Sequence, residues 1–253
     1  GSVEGQDASF ARAGLVSPEA PSPTTASRTT PFINSLRMKF VPVPITGGPT
    51  DKQRVLFSVW ETRVEEFTLF IRDTGRQWPS VGFNQTSEHP AVNISWNDAT
   101  AFCEWLTKRE KGAGKLDATA SYRLPTDHEW SCAVGLDRES AELLPVEKHG
   151  KTRGHYPWGT GYPPPEAIGN FADENFHLSS LSKVKGSGAG WVVGYKDLQY
   201  VTAPVVSYPA NELGLHDLGG NVWEWCQDYY DVTLRDRVLR GGSWKHHGEE
   251  GLL

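Results

Sequence analysis

From Leu136 to Glu212 the chain offers almost no pattern from which a helix could be built. The stretch is rich in Gly, Pro, Tyr, Trp and Asn, and its apolar residues follow no 3.6-residue spacing. A compact domain seldom carries so much irregular chain unless a ligand, an ion or a dense set of side-chain contacts holds it. Backbone N–H and C=O groups buried there must be met by something other than helix or sheet ladders. The chain is therefore limited to a loop-dominated fold in which small regular elements frame long connections. Composition agrees: 26 Gly, 17 Pro and ten Trp against a single Met favour turns and large rigid side chains.

Outside that stretch, local signals predict three helices. The tetrapeptides "TRVE" (Thr62–Glu65), "SWND" (Ser95–Asp98) and "TDHE" (Thr126–Glu129) each match the capping box, a hydroxyl followed three residues later by a carboxylate. Behind them, apolar residues recur at helical spacing. Val64, Phe67, Phe70 and Ile71 run up to Gly75; Ala101, Phe102, Trp105 and Leu106 run up to Gly112; Trp130, Ala133 and Val134 run up to Gly135. Met38, Phe40 and Val43 fit a first strand. "TAPVVSYPA" (202–210) reads as a short strand closed by Pro209, and "RVLRGGSW" (237–244) as a strand entering a double-glycine turn.

At 253 residues the chain suits one large domain or two small ones. A formal charge of −6 with no basic run argues against a nucleic-acid partner. No apolar run reaches the roughly 20 residues that a helical membrane span needs. Residues 1–31 read as a flexible linker, because "SPEAPSPTTASRTTP" (17–31) has too little apolar surface to offset its ordering entropy. A linker there implies a fused upstream domain, and residues 32–253 form the folded unit. Cys103, Cys132 and Cys226 have no CxxC spacing, so a zinc ribbon is not indicated and buried free thiols are the simplest reading. "GSGAG" (186–190) lacks the lysine and the strand–helix frame of a phosphate loop and reads as a loop tip.

Five blocks taken together resemble a known family. "HPAVNISWNDATAFCEWL" (89–106), "YRLPTDHEW" (122–130), "YPWG" (156–159), "GLHDLGGNVWEW" (214–225) and "RVLRGGSW" (237–244) are similar, in order, to the sulfatase-modifying-factor or formylglycine-generating-enzyme domain. The resemblance spans roughly residues 32 to 247. It implies an α+β, modified C-type-lectin-like fold with few helices, short strands and long loops. Its bacterial relatives are expected to be modules joined by such linkers to other domains, often serine/threonine kinases. A location on the outer side of a bacterial membrane, as part of an anchored parent protein, fits that arrangement.

The resemblance also implies structural calcium. Calcium takes six to eight oxygen ligands, and glycines let backbone carbonyls turn inward to supply them. One expected site uses the side chains of Asp217 and Glu224 with carbonyls near Gly219 or Gly220 and at Val222. A second uses Asn170, the Phe171 carbonyl, Asp197 and the Gln199 carbonyl. Trp223 and Trp225 would then cover the ion-bound loop with apolar area. The family pairs the cysteine at the position of Cys103 with one on a terminal strand; the chain as given carries no such partner, so the domain is expected to be cut short or closed differently.

Enzymes of the family oxidise a substrate cysteine to formylglycine with copper held by two cysteines, three and eight residues after the serine of the "GGS" turn. Here that serine is Ser243 and the matching positions hold His246 and Gly251. One imidazole does not replace two thiolates for copper(I), so copper is not expected and no catalytic residue is assigned. His246 and His247 are expected as exposed loop histidines. The leading expectation is a non-catalytic ligand-binding or sensory module for a peptide, protein or sugar. Trp158, Trp191, Tyr195 and His246 are its candidate contacts, among aromatic residues that could equally be core. The alternative is a formylglycine-generating oxidase or related metal-dependent oxygenase with a rearranged site.

Overall fold

The computed structural model describes residues 20–136, 139–148, 154–178 and 190–248. It is a mixed α/β fold with few helices and short strands. A three-stranded antiparallel sheet opens it, β1 (Phe32–Ile33), β2 (Lys39–Val43) and β3 (Val55–Ser58), in the order β1-β2-β3. Phe40 pairs with Ser58 and Val43 with Val55. Period-two alternation gives β2 two apolar faces. Phe40 joins α1 (Val64–Thr74) and α2 (Trp96–Gly112) through Phe67, Phe70, Phe102 and Leu106. Val41 and Val43 join α3 (Asp127–Val134) and a C-terminal hairpin, β6 (Glu224–Tyr229) with β7 (Arg237–Arg240), through Trp130, Leu215, Cys226 and Val238. Three small elements punctuate the loops: α4 (Pro145–Lys148), the β4 (His155–Tyr156) and β5 (Gly159–Thr160) pair, and α5 (Glu174–Leu178).

Helix ends follow the local signals with one shift. At α3 the Thr126 hydroxyl accepts from Glu129 N at 3.1 Å and the Glu129 carboxylate accepts from Thr126 N at 2.9 Å, the reciprocal box read from "TDHE". At α2 Ser95 caps through Asp98 N at 3.1 Å, but Asp98 returns its carboxylate to the serine hydroxyl, not to the backbone. At α1 the box moves one residue on. Arg63, not Thr62, is the N-cap, and Glu66, not Glu65, reaches back to Arg63 N at 2.6 Å. The cause lies outside the helix, since the Thr62 carbonyl is already engaged by Ala91 N at 2.9 Å. Gly75 and Gly135 end their helices in the left-handed region at φ 68° and 80°.

Two further expectations are corrected. Residues 202–210 form no strand: Val206 adopts φ 67°, and its N–H is taken by the Asp217 carboxylate at 2.8 Å instead of by a neighbouring strand. Of the stretch read as a linker, the part from Ser22 to Thr30 is docked on the domain. Ala26 is buried, Arg54 donates to the Pro23 and Ala26 carbonyls at 2.8 and 2.6 Å, and Arg28 donates to the Glu212 carbonyl. Composition understated this segment because its hold comes from pairings with distant residues, Arg54 and the Glu212 carbonyl. Residues 1–19 lie outside the described residues, as do Gly251 and all of "GSGAG" except Gly190. Cys103, Cys132 and Cys226 are free thiols, and burial pushes the Cys103 thiol up to about 12.

Candidate functional site

Beyond β7, Gly241 and Gly242 turn the chain at φ 89° and 75°. A Cβ on Gly241 would stand 2.8 Å from the Leu218 carbonyl oxygen, so this turn can approach the 217–224 loop only as glycine. Gly220 N closes the contact on the Gly241 carbonyl at 2.7 Å. Just past the turn, Ser243 Oγ and His246 Nδ1 share a hydrogen bond of 2.7 Å, and the Trp223 ring meets the imidazole edge-on at 4.8 Å. Burial, with smaller contributions from His247 and Lys245, lowers the His246 pKa, which favours the neutral imidazole. The expectation of exposed loop histidines is therefore corrected: His246 and His247 are both half-buried. The Ser243–His246 pair lines a cavity of about 1180 Å³, together with Trp60, Glu61, Phe83 and Trp223.

Trp158, Trp191 and Tyr195 do not join His246 in that cavity. Tyr195 is a core residue, 2% exposed, whose hydroxyl donates to the Gly169 carbonyl and accepts from Gly169 N at 3.0 Å. Trp158 stacks on Tyr156 at 4.6 Å and meets Phe171 edge-on, and Trp191 stacks on His177 at 3.8 Å. Their rings are occupied by Tyr156, Phe171 and His177, so they fasten the irregular region instead of gathering around a ligand. Trp225 likewise is tied down, donating to the Ile94 carbonyl at 3.0 Å.

The residues expected to hold calcium gather into two adjoining groups of buried oxygens. In the first, Asp217 accepts from Val206 N through Oδ2, while its Oδ1 has no hydrogen-bond partner. Glu224 accepts the Trp130 indole N–H at 2.5 Å. Burial raises Asp217 to about 6 and, with the Asp217 charge adding, Glu224 to about 7. In the second group Asp197 accepts from Phe171 N and Gln199 N, each at 2.8 Å. Burial, with nearby Asp173 adding to it, lifts Asp197 to about 7. Asn170 is fully buried; its amide N–H₂ donates to the Val201 carbonyl and to Asn221 Oδ1, and its own Oδ1 is left without a partner. Glycines allow the two groups to touch. A Cβ on Gly169 would lie 2.5 Å from the Gly219 carbonyl oxygen, and one on Gly220 would lie 2.6 Å from the Asn170 carbonyl oxygen.

Two residues central to this arrangement are not among the expected ligands. Asn221, fully buried at φ 57°, bridges the groups: its side chain accepts from Asn170 and from Ala203 N and donates to Glu61 Oε2 at 3.0 Å. Glu61, from the corner between β3 and α1, keeps Oε1 without a partner. Burial, then the charges of Asp217 and Glu224, raise its pKa well above the ordinary value. Among the described residues, Glu61 Oε1, Asn170 Oδ1 and Asp217 Oδ1 are the buried carboxylate and amide oxygens lacking a donor. The "GNVWEW" block marks the loop that carries Asn221, whereas Glu61 sits beside a helix cap and has no periodic pattern.

Three buried acceptors without donors, beside carboxylates of which Asp217 pushes up both Glu61 and Glu224, suit a hard cation. No three Asp, Glu, His or Cys side chains among the described residues are arranged to hold a metal by themselves. Backbone carbonyls and water would have to complete the shell, as is usual for calcium. The copper centre is a different matter. His246 is engaged with Ser243, and no cysteine follows Cys226 in the chain, so these residues do not fit a two-thiolate copper site.

A buried charge network anchors the turn from behind. Arg240 donates to Asp127 at 2.9 Å and to both oxygens of Glu139 at 2.9 and 3.0 Å. Lys148 meets the other Asp127 oxygen at 2.5 Å, and Ser131 donates to Glu139. The guanidinium lies 4.5 Å from the Trp130 ring centre. Thus the last residue of β7 is fixed in the same layer as the indole that holds Glu224.

Comparison with known proteins matches residues 53–250 to the sulfatase-modifying factor enzyme 1-like domain. The inactive C-alpha-formylglycine-generating enzyme 2 of Bos taurus is 34% identical over 169 residues, covering 66% of this chain and 42% of that protein. The formylglycine-generating enzyme of Streptomyces coelicolor is 32% identical over 174 residues, 63% of this chain and 43% of that one. Serine/threonine-protein kinase pkn1 of Chlamydia caviae is 28% identical over 176 residues, 63% of this chain and 20% of the kinase. The chain thus spans less than half the length of each of these relatives. Among solved structures, CarF is similar over 85% of this chain and 89% of that one, with 21% identity and a TM-score of 0.48.

Proposed function

Because this chain belongs to the sulfatase-modifying factor enzyme 1-like family, we propose that it is a member without the oxidase chemistry: a ligand-binding or sensory module whose long loops are pinned by calcium. The observation that carries the first half is the Ser243–His246 hydrogen bond of 2.7 Å, which occupies the turn where the family's first thiolate is expected. His246, Trp223 and Trp60 offer one hydrogen-bonding imidazole and apolar ring surface to the cavity. That combination suits recognition of a peptide, protein segment or sugar. The inactive bovine relative supports a non-catalytic reading, and the chlamydial kinase supports a place within a larger signalling protein; a location on the outer side of a bacterial membrane belongs to the same proposal.

Asp217 and Glu224 would hold one calcium ion and Asn170 and Asp197 a second, with nearby carbonyls. When bound, calcium supplies the positive charge that these desolvated carboxylates lack. The protein's own part is to exclude water and to fix each acceptor: Val206 N orients Asp217, Trp130 orients Glu224, and Phe171 N and Gln199 N orient Asp197.

The test is mass spectrometry of a CxPxR-containing peptide incubated with copper-loaded protein, reductant and air. The expected result is an unchanged peptide mass. Conversion of the cysteine to an aldehyde would favour the other reading, a formylglycine-generating oxidase or related metal-dependent oxygenase.

A further inference from the structure

Glu61 is drawn into the loop cluster from far away in sequence. Asn221 donates to its Oε2 at 3.0 Å across 160 positions, and the other oxygen, Oε1, is sealed from solvent with no donor. Asp217, 6% exposed, likewise presents an Oδ1 without a partner. Beyond its burial, the negative charges of Asp217 and Glu224 both bear on Glu61. Among the described residues no Arg or Lys forms an ion pair with Glu61 or Asp217, although His216 lends Asp217 some positive potential. Arg63, which follows in the chain, is engaged by Glu65 and Glu66 at 2.5 Å each, and Arg240 by Asp127 and Glu139. A protein seldom keeps acceptor oxygens buried, mutually repelling and undonated unless something positive is bound among them.

We propose that Glu61 supports the 217–224 cation site from outside its direct ligands, its Oε1 accepting from a water bound to a calcium ion that Asp217 Oδ1 and backbone carbonyls hold. This rests on the calcium reading above and extends it to a residue from the opposite end of the domain. The consequence is mechanical as well as electrostatic. Through Glu61 the ion ties the corner between β3 and α1 to the 217–224 loop, and through Asn221 that loop is held to Asn170 of the second group. Asn221 has no freedom to turn its amide over, because Ala203 N donates to its Oδ1 and the Ala203 carbonyl accepts from its N–H₂. Glu61 therefore meets a donor on Oε2 and keeps Oε1 for the ion's water.

The test is Glu61→Gln, which removes the charge and keeps an acceptor for Asn221. Terbium serves as the probe, since the Trp130 indole beside Glu224 can sensitise its emission, and calcium is titrated by calorimetry. The expected result is an affinity at the tryptophan-sensitised site weaker by about tenfold or more. The Tm in EDTA should be equal to or above that of the unaltered protein, because a buried like charge has been removed. Unchanged affinity overturns the proposal. So does an equal loss of Tm with and without calcium, which would make Glu61 a structural hydrogen-bond partner only. If the unaltered protein binds neither ion, the calcium reading itself falls, and this extension with it.

Discussion

Replacing Arg240 with Met should loosen the whole C-terminal turn. Arg240 is 7% exposed and serves two carboxylates at once, Asp127 at 2% and Glu139 at 6%. Met fills much of the volume against Trp130 but donates nothing. Asp127 would retain Lys148 and its bond from Arg240 would be lost; Glu139 would retain only Ser131 among these partners. Breaking one buried pair by removing a single partner costs about 3–5 kcal/mol. Lys148 covers part of the loss, so the expected destabilisation is about 4 kcal/mol, not twice that. At this chain length each kcal/mol moves Tm by about 2 °C, giving a fall of about 8 °C. Urea unfolding and calorimetry of Arg240→Met measure it. Adding Glu139→Gln to Arg240→Met should recover part of the loss, because the stranded charge is gone. A cost below about 1 kcal/mol, or no recovery in the double variant, would refute the view that these charges depend on one another.

Other outcomes follow from the same geometry. Glu129 is fully buried, and although burial alone would raise its pKa, the Arg123 fork, Thr126 N and Thr50 outweigh it and hold it below the ordinary 4.5. A depressed carboxylate adds stability that is complete above its unfolded pKa and is lost as pH falls through the folded one. Glu129→Gln should therefore cost about 2 kcal/mol at pH 7, with Arg123 partly exposed, and the difference should shrink in urea melts as pH drops below about 4.5; a pH-independent difference would contradict this. Gly220→Ala places a Cβ 2.6 Å from the Asn170 carbonyl oxygen at φ 89°, so a loss of about 3 kcal/mol is expected. The same variant should weaken calcium binding in a calorimetric titration, whereas Gly114→Ala, also at positive φ but with open space around it, should lose stability alone.

What could be read from the chain was what neighbouring residues decide among themselves. The Thr126–Glu129 box, the glycines that end α1 and α3 and the turn at Gly241–Gly242 are local events, and they stand where the sequence put them. The strand expected at 202–210 failed because a carboxylate 11 positions away, on Asp217, captures the Val206 N–H. The linker reading missed the docking of Ala26 because Arg54, 28 positions on, supplies its hold. Aromatic residues of the irregular region were visible, but whether they faced a ligand or one another depended on pairings such as Phe171 with Tyr195 at 5.6 Å. Motif resemblance singled out Asp217, Glu224, Asn170 and Asp197 as a group that the fold does bring together, whereas the link from Asn221 to Glu61, across 160 positions, emerges only when the chain is folded.

Diffraction from crystals grown with calcium, collected at a wavelength where calcium scatters anomalously, tests the central claim most directly. The account predicts two anomalous peaks, one at about 2.3–2.6 Å from Asp217 Oδ1 and one at the same range from Asn170 Oδ1. Ordered water at both positions, or those oxygens turned to accept from protein donors with no anomalous signal nearby, would contradict it.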